Sequence, residues 1–168
     1  MAELMDEALR AVQELEDSDD DDLFRELGLR VKAIERDPMV AGRFAPPRSM
    51  LEPKGIALGD LLDLGRRYFA QISKAGYGLI CSAGVPQGTH FDSLMTTLGT
   101  NRMAITAGLA TLLVAQIGIA PAIAGVVAAL AIGKAAPASL QAICTGWSAK
   151  AGYATTGTPS PTPPAPVS

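Results

Sequence analysis

One histidine, two cysteines and one tryptophan are all that 168 residues offer of these side chains, and each scarcity removes a class of explanation. Any imidazole catalysis would have to pass through His90, which reads instead as a first-turn residue of a helix capped by Thr89 and Asp92. Cys81 and Cys144 lie far apart in apolar surroundings and read as buried free thiols. Cys81 lies nine residues before His90, so a Cys–His nucleophile–base pair is conceivable. There is no Gly-rich phosphate loop and no Gly-x-Ser-x-Gly elbow. Asp60 and Asp63 sit three residues apart with no histidine nearby to complete a metal site. The expectation is a protein that is not an enzyme and carries no cofactor or metal. Aromatics make up 5% of a chain that is 48% hydrophobic, so its apolar content is aliphatic and favours helices over a β-sandwich.

Charge is missing in two places. No acid follows Asp92, while residues 1–37 hold 13 acids against 5 bases. No Lys/Arg cluster exists to displace phosphate counterions, which excludes nucleic acid as the partner. The opening MAELMDEALR is acidic and amphipathic, unlike the basic-then-apolar order of a secretory leader. Together with the free thiols, this predicts a cytoplasmic protein without a signal peptide, one that associates with membranes if its apolar centre meets lipid.

The second gap organises the molecule. Met103–Gly133, MAITAGLATLLVAQIGIAPAIAGVVAALAIG, contains no charged residue and is closed by Arg102 and Lys134. A charge-free apolar run of this length is read as a membrane-span candidate. Gly118 and Pro121 split it, because proline suits the first turn of a helix and disrupts an interior. Helices over 103–117 and 121–135 follow, joined by a tight corner at Gly118-Ile119-Ala120-Pro121. Each is about 22 Å long at 1.5 Å per residue, short of a ~30 Å hydrocarbon core. The small-xxx-small pairs Ala104/Gly108, Ala124/Ala128 and Gly125/Ala129 allow close helix packing.

The other segments are amphipathic helices. Residues 2–16 and 22–36 carry helical-period stripes, the second with Glu26 and Arg30 as an i,i+4 pair. Between them, Asp17-Ser18-Asp19-Asp20-Asp21-Asp22 reads as a solvated acidic linker whose last acids cap the second helix. Residues 1–37 thus form an acidic head. Residues 38–55, with four prolines, read as an irregular linker in which Arg43 and Arg48 are solvated. A body over 56–153 begins with a helix near 57–74, lined by Leu58, Leu61, Leu62, Tyr68, Phe69 and Ile72. Its ending, Ser73-Lys74-Ala75-Gly76-Tyr77, matches Ala149-Lys150-Ala151-Gly152-Tyr153, and both read as one left-handed glycine stop used twice. A helix over about 89–99 and a last one over 140–151, with Leu140, Ile143, Cys144 and Trp147 on one face, complete the body. Residues 154–168, proline-rich and uncharged, read as a disordered tail.

The fold expected is therefore all-α, a small helical bundle built around a central hydrophobic hairpin. A charge-free Ala/Gly/Ile/Val hairpin over about 103–135, inside an otherwise amphipathic helical chain, resembles the organisation of colicin-type pore-forming domains, though no motif is shared. That resemblance implies a membrane-associated protein that anchors or inserts the hairpin, forming a pore or disrupting the bilayer. The inserting face would be Leu109, Leu113, Ile117, Pro121, Ile123, Val127 and Leu130, with Arg102, Lys134 and Lys150 left at lipid headgroups. The partner is then a bilayer, with homo-oligomerisation through the small-residue faces. The alternative is a soluble helical adaptor that binds a helical protein partner and keeps the hairpin as its permanent core.

Overall fold

Helical periodicity with no sustained alternation gives an all-α bundle, and the described residues contain no strand. The computed structural model describes residues 2–51, 55, 57–81, 101–133 and 140–152. The expected helix over 89–99, His90, Lys134 and the tail 154–168 lie outside the described residues. The elements are α1 (Ala2–Glu14), α2 (Asp20–Arg36), two 3-10 turns (Pro38–Gly42 and Arg48–Leu51), α3 (Leu58–Cys81), α4 (Arg102–Leu112), α5 (Pro121–Ile132) and α6 (Leu140–Ala151).

The corner falls where glycine and proline placed it. Asn101 caps α4 by accepting from the Ala104 amide. The last turn, Leu113–Ile117, widens into a π-helix rather than continuing α4 as expected. It closes at Gly118 in a left-handed conformation (φ 81°), which a residue with a Cβ rarely adopts. Pro121 then occupies the first position of α5. Ala122, Ile123, Ala124, Val126, Val127, Ala128 and Leu130 are all buried, so α5 is apolar on every face, as a helix surrounded by protein must be.

Side chains from α1 (Ala8, Ala11, Val12, Leu15) and α2 (Leu23, Phe24, Leu27, Val31) share one buried cluster with α4 and α5. The acidic head is therefore packed on the body. The proline-rich stretch, expected as an irregular linker between head and body, is seated in the core: Val40, Phe44 and Leu51 are each at most 1% exposed. Prolines and 3-10 turns keep the backbone irregular, yet three well-spaced apolar side chains are enough to seat it.

Two glycines bring α2 onto α3. A Cβ on Gly28 would run into the Leu61 carbonyl, and one on Gly65 into the Phe24 carbonyl. The backbones meet there with nothing between them. Phe24 also stacks edge-on against Phe69, with ring centroids 5.7 Å apart. Leu58, expected on the inner stripe of α3, is exposed at its first turn.

The repeated glycine stop is used once. Gly152 is left-handed (φ 75°) and follows the end of α6, but α3 runs straight through Gly76 to Cys81. A Cβ on Gly76 would lie 2.6 Å from Leu113 Cδ2 and 3.4 Å from Trp147 Cη2. That glycine makes room for the π-turn and α6, so packing overrides the local stop signal. The two cysteines are also not free. Cys81, the last residue of α3, forms a disulfide with Cys144 of α6, their Cα atoms 5.8 Å apart. Sixty-three residues separate them in sequence, and only the packing of α6 on α3 brings them together.

Candidate functional site

Among the described residues, three cationic side chains meet α5 at its two poles, while its own side chains are all apolar. At the N-terminal pole stands Arg30 of α2, only 3% exposed. It donates Nε–H to Glu26 Oε2 at 2.7 Å and Nη1–H to the Phe44 and Ala122 carbonyls at 2.7 and 3.0 Å. One guanidinium thus joins α2, the proline-rich stretch and the first turn of α5. Burial pushes its pKa below the ordinary arginine value, and the Glu26 carboxylate opposes that shift. Arg48, expected to be solvated, also reaches Glu26, at 3.0 and 3.1 Å, although its side chain is 67% exposed.

At the C-terminal pole, the last carbonyls of a helix lack intrahelical donors and attract cations. Arg102 Nη1–H donates to the Gly133 carbonyl at 3.1 Å, and Lys150 Nζ donates to the Leu130 carbonyl at 2.6 Å. Gly133 also leaves space for the ammonium, since a Cβ there would sit 3.0 Å from Lys150 Nζ. Lys150 pairs further with Asp20 at 3.3 Å, at the edge of an open cleft lined by Asp19, Asp20, Asp21 and Lys150. Beside it, a small gap of about 10 Å³ lies among Arg102, Thr106, Asp20 and Gly133, roughly the space of one water.

The acidic run is largely solvent-exposed and caps α2 as expected, but its carboxylates are also paired. Asp19 caps α2 through the Asp22 amide at 2.8 Å, Asp20 pairs with Lys150, Asp21 with Arg66 at 3.0 Å, and Asp22 with Arg25 at 2.8 Å. Four consecutive carboxylates therefore fasten α2 to itself, to α3 and to α6.

Of the residues expected to face lipid, Leu109, Leu113, Ile123, Val127 and Leu130 are buried in the core, while Ile117 and Pro121 are half-buried. Arg102 and Lys150, expected at headgroups, are engaged with backbone carbonyls. No described helix is long and apolar enough to cross a membrane. Cys81 has no free thiol, so the Cys81–His90 pairing is unavailable. Among the described residues no group of acidic, histidine or cysteine side chains could hold a metal ion, and Asp60 and Asp63 lie exposed on α3.

The inward role of Arg30 went unrecognised in the sequence, yet a signal was present. Arg30 lies three residues after Leu27 and four before Ile34, on the apolar stripe itself rather than opposite it. A cation in such a position is buried only if it finds acceptors. No family model matches this chain, and no curated protein or solved structure matches it.

Proposed function

We propose that this chain is an all-helical interaction module whose charge-free hairpin is a permanent core. The observation that carries the reading is the fastening of α5 at both poles. Arg30 holds its first turn, and Arg102 and Lys150 hold its last carbonyls. Withdrawing α5 would strip the largely buried Arg30 of its Ala122 acceptor, a costly outcome for a desolvated charge. The partner is a protein rather than a bilayer, and a basic one. The outer face of α1 exposes Glu3, Asp6 and Glu14 against Arg10, with Glu16 exposed in the turn just after it, a surface that steers basic partners toward it.

Hydrogen exchange with and without anionic liposomes tests the reading at neutral and mildly acidic pH. Amides of α4 and α5 should stay equally protected in both. A lysine-rich helical peptide should bind, and should bind less to Glu3→Lys/Asp6→Lys/Glu14→Lys, which alters only exposed positions. The membrane-inserting reading retains one observation in its favour, the apolarity of α5 around its whole circumference. Loss of protection in α4 and α5 on adding liposomes would make it the better account.

A further inference from the structure

Among the described residues, helix α6 is seated by Ile143, Trp147 and Ser148, by Lys150, and by its covalent tie. It has 12 residues, a length at which an isolated helix is marginal in water. Gly146 interrupts its interior, where glycine weakens a helix. Its main anchor, Trp147, is fully buried between α3 and α5, with the Tyr77 ring edge-on at 5.7 Å. Yet the indole Nε1 is buried without a hydrogen-bond partner among the described residues, which offsets part of what the ring gains by burial. Lys150 adds a polar tie at the far end of the helix. Against these stands the disulfide to Cys81, whose two cysteines are half-buried rather than enclosed.

We propose that the Cys81–Cys144 disulfide is a redox latch that keeps α6 on α5, and that reducing it frees α6 while the remaining bundle stays folded. The reductant is a dithiol. Its thiolate attacks one sulfur and forms a mixed disulfide, expelling the other cysteine as a thiolate that takes up a proton. The second thiol of the reductant then displaces the first cysteine, leaving two protein thiols and an oxidised reductant. Two electrons and two protons have passed to the protein. With α6 displaced, Ile143 and Trp147 leave the shared core, and the face of α5 that they covered opens to solvent. The device goes beyond the interaction reading and does not depend on which partner the bundle takes.

Trp147 is the only tryptophan in the chain, so its emission reports α6 alone. The full-length oxidised protein should show blue-shifted emission that iodide barely quenches. Dithiothreitol should shift the emission to the red and raise iodide quenching severalfold. The far-UV helical signal should lose only the share of one short helix, and reoxidation should restore all three readings. The variant Cys81→Ser/Cys144→Ser should behave like the reduced protein and ignore the reductant. If that variant does not fold, reduction and reoxidation of the wild-type chain decide the question. Unchanged emission and quenching after confirmed reduction would overturn the proposal. So would loss of the whole helical signal, because the bond would then be a general staple and not a latch.

Discussion

Arg30 and Arg48 share one carboxylate, Glu26, and differ in burial, which makes them a controlled pair. Truncating Arg30 to alanine removes three hydrogen bonds, two of them to carbonyls of other segments. Breaking a buried pair by removing one partner costs about 3–5 kcal/mol. The lower end applies here, because Glu26 keeps Arg48 at 3.0 Å and is not left without a counter-charge. Arg48→Ala removes a contact whose cation is 67% exposed, and an exposed pair of that kind is worth about 0–1 kcal/mol. For a chain of this size a loss of 1 kcal/mol lowers the melting temperature by about 2–4 °C. Arg30→Ala should therefore melt about 6–12 °C early, and Arg48→Ala no more than about 4 °C early. Urea midpoints with an unchanged slope would show that both effects lie in the folded state. Arg30→Met, which restores the aliphatic stem but no donor, should fall between wild type and Arg30→Ala. Equal losses for Arg30→Ala and Arg48→Ala, or a loss below about 1 kcal/mol for Arg30→Ala, would refute the idea that one buried guanidinium fixes the start of α5.

Further predictions concern backbone approach, capping and the core. Gly28→Ala and Gly65→Ala should each cost about 1–3 kcal/mol in urea unfolding through overpacking, although alanine is favoured over glycine by about 1 kcal/mol within a helix. A stabilised Gly28→Ala protein would show that α2 and α3 do not meet backbone to backbone. Asn101→Ala should cost about 1 kcal/mol by removing the cap of α4, and unchanged stability would show that the Ala104 amide has another acceptor. Ala124→Asp places a carboxylate at a fully buried site. The folded state would raise its pKa above the unfolded value, so the penalty is absent at low pH and grows as pH rises past about 4. A melt of Ala124→Asp that matches wild type at neutral pH would mean that this face of α5 is wet.

The residues that set local backbone geometry were readable directly. Gly118 and Pro121 marked the corner because one requires a left-handed conformation and the other a helix start. The acids before Leu23 marked the start of α2, and Gly152 the end of α6, for similarly local reasons. What escaped depends on contacts distant in sequence. Gly76 carries the same stop signal as Gly152, but α6 and the π-turn press on it, and the helix continues. Cys81 and Cys144 look unrelated until α3 and α6 pack. Phe44 lies in a stretch whose prolines suggest exposure, and only its packing beside Gly125 of α5 shows that it is a core residue. The poles of α5 are half visible in the sequence: Arg102 and Lys150 read as flanking cations, but for lipid phosphates rather than for peptide carbonyls. The cations have the same physical role in both settings, which is why sequence could not choose between them.

The choice of acceptor at the poles has a consequence for ionic strength. Arg30, Arg102 and Lys150 hold α5 through carbonyl oxygens, which are neutral. Mobile ions screen charges that face each other through water, over a distance of about 8 Å at physiological strength, and have little purchase on a short hydrogen bond to a partly buried carbonyl. The pairs Asp21–Arg66, Asp22–Arg25 and Lys32–Glu35 are solvent-facing and charge-to-charge, so added salt weakens them first. The molecule is thus divided into an interior indifferent to salt and an acidic exterior that responds to it. Lys150 belongs to both, with one bond to Leu130 and one to Asp20. Raising the salt should loosen the entry into α2 from α6 while leaving α5 where it is.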